Sequence, residues 1–498
     1  MIHILKMKSK NVIYYLSILS IIIISFLFFS YNFYPLLNSD DALNVLMAHY
    51  YKLPNDIYCW GQDRGGTLIP LISQLFITVF NLSALTSVSI STYIILTLGF
   101  FGFASLIKNK FLKILFAIIW FLPFQRFIDI LRFPIGIEYS LIGIAIYFIN
   151  KIAITHEIKN LKKHLFLIIT ALTLIISVWV SDLSIITISI VLLSLIAFKF
   201  FENKKISIDK TSLLYCFGAI AIGYLFIHFA KEQTPIKSNN YLSINAPYQI
   251  KEGLEIIINS FKDVLTFKTN EVLVSIYTYF VIIFTIVFLF YVVKKKLISQ
   301  LISNKWIIIF IVDCLVIFTT ILLSRWVLLN GMGRWYFVAS YISLSLAIIL
   351  SLDNIIIKHK PKLLTISLLI IVIIGAISPL ITMKYVRPKT LKPMVEVVGE
   401  LQTLGEIGVI AEFWNSYIIS CRNPELIKVT PHDKSDVRNK EMIEMVFERD
   451  KIYIIKDMWM DNFPDTLTQF GHTLIKDSVP FNLGGCDICK YRLTRANN

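Results

Sequence analysis

Two adjacent aspartates, Asp40 and Asp41, stand in the stretch NSDDALNVLMAHYY, just beyond a long apolar run that ends near Phe33. A membrane-embedded chain gains no stability from crowding like charges against a bilayer, so such a pair is a solvated helix cap or it does chemistry. Further along, Glu138 opens an apolar run, Asp182 separates two others and Arg334 precedes a late one. One carboxylate can take the proton of an attacking hydroxyl, and a second can orient it or share a divalent cation. A guanidinium grips phosphate oxygens as a two-pronged fork. Together these groups suit displacement at a lipid-linked phosphate, with Asp40 and Glu138 as the ligands where a cation takes part.

The elements that must position these residues are apolar. Of 498 residues, 56% are hydrophobic and 16% charged, with a mean hydropathy of +0.70; soluble domains carry about a quarter charged residues. The composition is that of an integral membrane protein. The net charge of +15 does not point to nucleic acid, because the lysines are scattered in small groups between apolar runs instead of forming one patch. Eleven runs are candidates for spans: 11–33, 84–107, 111–123, 135–150, 164–180, 183–201, 211–229, 272–293, 305–323, 336–352 and 363–382, the third and fourth being short. Lysines collect in alternate loops, at Lys6/Lys8/Lys10, Lys108/Lys110/Lys113, Lys159/Lys162/Lys163, Lys204/Lys205/Lys210, Lys294/Lys295/Lys296 and Lys358/Lys360/Lys362. The positive-inside rule then predicts a cytoplasmic N-terminus and an extracytoplasmic C-terminus. The first run is too long for a signal-peptide core and is read as a retained span.

The loops on the other side hold the unusual polar residues: 34–66, 124–134 (FQRFIDILRFP), 324–335 (SRWVLLNGMGRW) and 230–271, the last long enough for an amphipathic helix. Within 34–83 the pattern predicts two interfacial helices joined by the turn CWGQDRGG. Residues 1–382 are expected to form the membrane domain, and 383–498 a small extracytoplasmic α/β domain. In that domain IGVIAEFW, ELIKVTP and KIYIIKD read as strands and DVRNKEMIEMVFERD as a helix. Cys486 and Cys489 form a C-x-x-C there, where a disulfide is the commoner outcome outside the cytoplasm.

SDDALNVLMAHYY with GQDRGGTLIPL resembles the first extracytoplasmic loop of bacterial GT-C glycosyltransferases, which use polyprenyl-phosphate-linked sugars. FPIGIEYSLIGIAIYF, VWVSDLSII and GMGRWYFVASYISL are similar to that family's acidic span entry, its short Trp-containing loop and its arginine-aromatic entry to a late span. IAEFWNSYIIS with LIKVTP is similar to the soluble extension of some members. The resemblance implies a first-loop acid at Asp40, its neighbour at Asp41, a second-loop acid at Glu138 and a phosphate-binding arginine at Arg334. Gln62, Arg132 and Asp182 are expected to bind substrate beside them.

The expected activity is an inverting transfer of a sugar from a polyprenyl-phosphate carrier to a hydroxyl of a glycan, lipid or protein on the outer face, with Asp40 as general base. The absence of a Gly-rich phosphate loop agrees with a lipid-linked donor. A transporter or lipid flippase is an alternative that calls for broken helices and inverted repeats, which the sequence does not display. An O-antigen-type polymerase is another, expected to lack the soluble tail.

Overall fold

The computed structural model describes residues 2–33, 37–154, 160–203, 210–234, 243–269, 271–359, 361–382 and 399–494. Lys159, Lys204, Lys205, Lys360 and the predicted start of the C-terminal domain at 383–398 lie outside the described residues.

The chain opens with α1 (Ile2–Phe29), two short helices α2 (Ser39–His49) and α3 (Leu68–Phe80), then α4 (Ala84–Ala104), α5 (Lys110–Phe121) and α6 (Ile135–Ile154). After these come α7 (Asn160–Val180), α8 (Ser184–Asn203), α9 (Lys210–Glu232), the expected amphipathic helix as α10 (Pro247–Leu265), and α11 (Val272–Lys294). Short α12 (Ile298–Ile302) precedes α13 (Lys305–Leu323), α14 (Arg325–Leu329), α15 (Val338–His359) and α16 (Lys362–Thr382). Among the described residues ten helices are long and apolar enough to cross a bilayer: α1, α4, α6, α7, α8, α9, α11, α13, α15 and α16. The protein is therefore an integral membrane protein.

The expected span at 111–123 is the difference. α5 has 12 residues, about 18 Å of helix where a bilayer core needs about 30 Å. Pro123 disfavours helical backbone at Leu122, and the chain bends by 92° into a 3-10 helix, Gln125–Leu131. There are eleven spans only if this bent pair counts as one.

By its internal contacts the chain divides into two units. The first comprises residues 1–25, 94–228 and 238–382. Here α4 and α6 cross closely through small residues: a methyl group on Gly99 would strike Ser140, and one on Gly102 would strike the backbone of Gly143. Such contacts replace hydrophobic driving force with packing in a bilayer.

The second unit comprises residues 26–93, 229–237 and 383–498. It groups α2 and α3 with the C-terminal residues. The latter form a seven-stranded sheet ordered β2-β1-β3-β7-β5-β4, with β6 on β7, from β1 (Ile407–Ala411), β2 (Ile427–Pro431), β3 (Ile452–Ile455), β4 (Thr466–Gln469), β5 (His472–Lys476), β6 (Phe481–Leu483) and β7 (Cys486–Leu493). The first three are parallel and buried along their whole length, as their unbroken apolar runs demand. α17 (Phe413–Ser420) links β1 to β2, and α18 (Glu441–Phe447) lies between β2 and β3. α2 packs on α17 and α3.

Candidate active site

α2 begins with a reciprocal cap. Asn38 Oδ1 accepts from Asp41 N at 2.9 Å, and Asp41 Oδ2 accepts from Asn38 N at 3.4 Å, so each side chain satisfies a backbone donor that the helix start leaves open. The Ser39 hydroxyl takes no part in the cap and donates to Phe413 O at 2.5 Å. Nine of the eleven residues of α2 are buried, including Leu43, Val45, Leu46 and Met47 at 0–1% exposure. Asp40 is the one exposed residue of the helix. Burial of its surroundings raises its pKa, and the charges of Arg438 and then Arg64 draw it back.

The turn CWGQDRGG is a small hairpin. Cys59 N donates to Gly65 O at 2.9 Å, Gln62 N to Cys59 O at 3.0 Å, and Tyr58 bridges Gly66. Its tip carries Gln62, whose Oε1 accepts from Arg64 Nε at 3.3 Å. Gly61 has φ +68° and lies against Arg438, so a side chain there would be strained and would press on that arginine. The Cys59 thiol is pushed up to about 12 by burial and then by the charge of Asp40, with Arg438 and Arg64 opposing. A thiol held so firmly protonated is no nucleophile at neutral pH. Asp40, Cys59, Arg64 and Arg438 therefore share one electrostatic neighbourhood.

The helix beneath fixes its surroundings. Gln74 Nε2 donates to Ala48 O at 2.6 Å, tying α3 to the end of α2, and Ser73 Oγ bonds Ser91 Oγ at 3.0 Å, tying α3 to α4. Leu71, Leu75, Val79 and Phe80 leave an apolar face exposed, the pattern of a helix lying in a membrane interface. On its other side α2 is held to the sheet by Tyr50 Oη to Pro424 O (2.9 Å), Lys428 Nζ to Tyr50 Oη (2.8 Å), a hydrogen bond between His49 Nε2 and Glu425 Oε1 (2.8 Å) and the ion pair Lys52–Glu441 (2.7 Å).

The other predicted residues lie in the first unit. Glu138 is 1% exposed on the first turn of α6, where the Ser181 hydroxyl bonds its carboxyl; its Oε2 has no hydrogen-bond partner among the described residues. Asp182, next to Ser181, is exposed between α7 and α8. Arg334 opens a 3-10 turn, Arg334–Phe337, and its Nη1 donates to Asp129 Oδ2 and to Arg126 O, both at 2.8 Å. Arg132 is buried after the 3-10 helix Gln125–Leu131, with its backbone N donating to Asp129 O at 3.2 Å. The sequence did not single out Asp313, 0% exposed within α13, although an acid inside an apolar span is a signal in itself.

Among the described residues no three His, Cys, Asp or Glu side chains gather as metal ligands. One expectation needs correction: the disulfide is not formed, and all six cysteines are thiols. Cys486 and Cys489 lie three residues apart on β7, about 10 Å along an extended strand, beyond disulfide reach. Cys489 Sγ instead donates to Ser478 O at 3.3 Å.

No family model and no curated protein matches the chain. Among solved structures it is similar to the Archaeoglobus fulgidus oligosaccharyltransferase in complex with zinc and sulfate, at 12% identity and a TM-score of 0.39, over 83% of this chain and 63% of that one. The chain thus spans less than two thirds of that protein's length.

Proposed function

We propose that this protein is a membrane glycosyltransferase that moves a sugar from a polyprenyl-phosphate carrier to a hydroxyl acceptor on the outer face of the membrane, with Asp40 as general base. The observation that carries the reading is the division of labour within the acidic pair. Asp41 is buried and spent on the helix cap, while Asp40 is the exposed residue of an otherwise buried helix. A solvated cap needs only one of them.

In the reaction the acceptor oxygen attacks the anomeric carbon as its proton passes to Asp40. The new C–O bond forms while the bond to the phosphate oxygen breaks, and the polyprenyl phosphate leaves with the electron pair. Attack opposite the leaving group inverts the anomeric centre. Desolvation makes the carboxylate a better base than one in water. The apolar face of α3 would keep α2 near lipid headgroups. Arg334 enters this reading as a guanidinium that must exchange Asp129 for a donor phosphate, and Gln62 as a polar group at the tip of the hairpin that follows α2.

The test is transfer by membranes supplied with a panel of labelled polyprenyl-phosphate sugars. Wild type should use at least one donor, and Asp40→Asn at normal protein level should lower the rate by a factor of about one hundred or more. Near-full transfer by Asp40→Asn would leave the pair as a cap alone.

A further inference from the structure

The acidic site has a cationic counterpart carried by the C-terminal α/β domain. Arg438, in the loop before α18, is held mainly by packing and by a backbone hydrogen bond. Its backbone N donates to Tyr417 Oη at 2.9 Å, its guanidinium lies over the Phe413 ring at 5.3 Å, and its stem abuts Gly61. The carboxylate nearest to it as an ion pair is Asp436, at 4.0 Å and itself 84% exposed, a contact too open to matter much. Its Nε is buried without a hydrogen-bond partner among the described residues. The guanidinium is thus fixed by packing and keeps donors to offer.

Ser39, the neighbour of Asp40, bonds Phe413, whose ring lies under the Arg438 guanidinium, and Gly61 of the hairpin that carries Arg64 abuts the Arg438 stem; the chain thus brings both arginines to the start of α2, where their charges lower the pKa of Asp40. A bare anion seated there would be attracted by the two arginines and repelled by Asp40. A ligand with a neutral hydroxyl-bearing part and a phosphate a few ångströms away satisfies both ends at once. We propose that Arg438, with Arg64, binds the phosphate of a phosphate-linked lipid beside Asp40, so that the C-terminal domain supplies part of the donor site. The assignment rests on the glycosyltransferase reading for the identity of the neutral part, a sugar, but not for the phosphate.

Binding to the purified full-length protein separates the two. A labelled polyprenyl phosphate and the uncharged polyprenol of the same chain length are compared on wild type, Arg438→Gln, Arg438→Lys and Asp40→Asn. Wild type should prefer the phosphate by about tenfold or more, the scale of a charge-assisted hydrogen bond. Arg438→Gln, which keeps part of the stem on Gly61, should lose most of that preference, Arg438→Lys should recover part of it, and Asp40→Asn should retain it. Inorganic phosphate should compete only weakly; full competition at equal concentration would overturn the lipid assignment. A wild type without preference, or an Arg438→Gln that keeps it, overturns the proposal. If Arg438 governs the preference yet no phosphate-linked sugar is transferred, the phosphate site stands and the glycosyltransferase reading fails; if Asp40→Asn abolishes transfer while Arg438→Gln binds normally, the reverse holds.

Discussion

Asn38 and Asp41 hold each other across the first turn of α2, each side chain bonded to the other's backbone N–H. That reciprocity makes the two neighbouring aspartates separable by experiment. Asp41→Ala removes a cap from a buried helix and should lower stability by about 1 kcal/mol. Asp40→Asn touches no cap bond and should leave the thermal midpoint of the full chain unchanged or raised. A midpoint that falls equally in both would remove the distinction on which the base assignment stands.

The pH dependence has a definite sign. The pKa of Asp40 is raised in the folded protein, mainly by desolvation, so folding favours its protonated form. Its contribution to stability is present below the ordinary carboxylate range and is lost as pH rises through the raised value. Activity runs the other way, because the base works only when ionised, and transfer should fall as pH drops through that same value. Arg438 and Arg64 lower the pKa, so Arg438→Gln should move the acid limb of kcat/KM to higher pH. A limb that stays in place, or moves down, contradicts the shared neighbourhood of these residues.

The spans, the two helices of the first loop, the Gly-rich turn, α10 and the parallel strands were legible because each rests on a local pattern: a run of spanning length, an alternation, a turn residue. The cationic neighbourhood of Asp40 was not. Arg438 stands in DVRNKEM, which reads as the surface of a small helix. Nothing in that stretch reports that Ser39 meets Phe413 across 374 residues of chain and brings the arginine with it. The disulfide expectation failed for a related reason: the C-x-x-C spacing does not reveal an extended strand, whose pleat holds the two thiols apart. Pro123 was visible, but that it bends the chain enough to leave α5 short depends on what packs around the break.

Orientation hinges on that break. The lysine alternation requires α5 and the 3-10 helix Gln125–Leu131 to carry the chain across the membrane together. Single cysteines at Lys108 and at Gln125, in a background without native cysteines, should then react with an impermeant thiol reagent from opposite faces, Gln125 from outside. Labelling of both from one face would make the pair re-entrant and reverse the assigned side of every earlier or later loop.

Arg334 and Asp129 form an ion pair at 2.8 Å, 38% and 21% exposed. If Arg334 also takes the donor phosphate, Asp129→Asn should strengthen binding of a polyprenyl phosphate by releasing the guanidinium, while Arg334→Ala weakens it. Equal losses of stability in the two variants, about 1 kcal/mol or less for so exposed a pair, with unchanged donor binding, would make the pair structural.

Asp313 is the acid that the proposed chemistry does not use. Its Oδ2 accepts from Ser343 Oγ at 2.5 Å and from Tyr139 Oη at 3.1 Å, and Tyr139 Oη also meets Thr187 Oγ1 at 3.1 Å. One carboxyl oxygen thereby ties α13 to α15 and α6, and through Tyr139 to α8, at a depth where water cannot substitute for a lost partner. A role in joining helices needs an acceptor oxygen at this point and no charge. Asp313→Asn keeps such an oxygen and should preserve both stability and sugar transfer. Asp313→Leu is close in size but leaves the Ser343 and Tyr139 hydroxyls without their acceptor, and should cost about 1–2 kcal/mol in detergent unfolding, the scale of polar contacts between membrane helices. If Asp313→Asn folds as wild type yet loses transfer, the carboxyl must ionise or exchange a proton during the cycle, and the structural account of this knot is wrong.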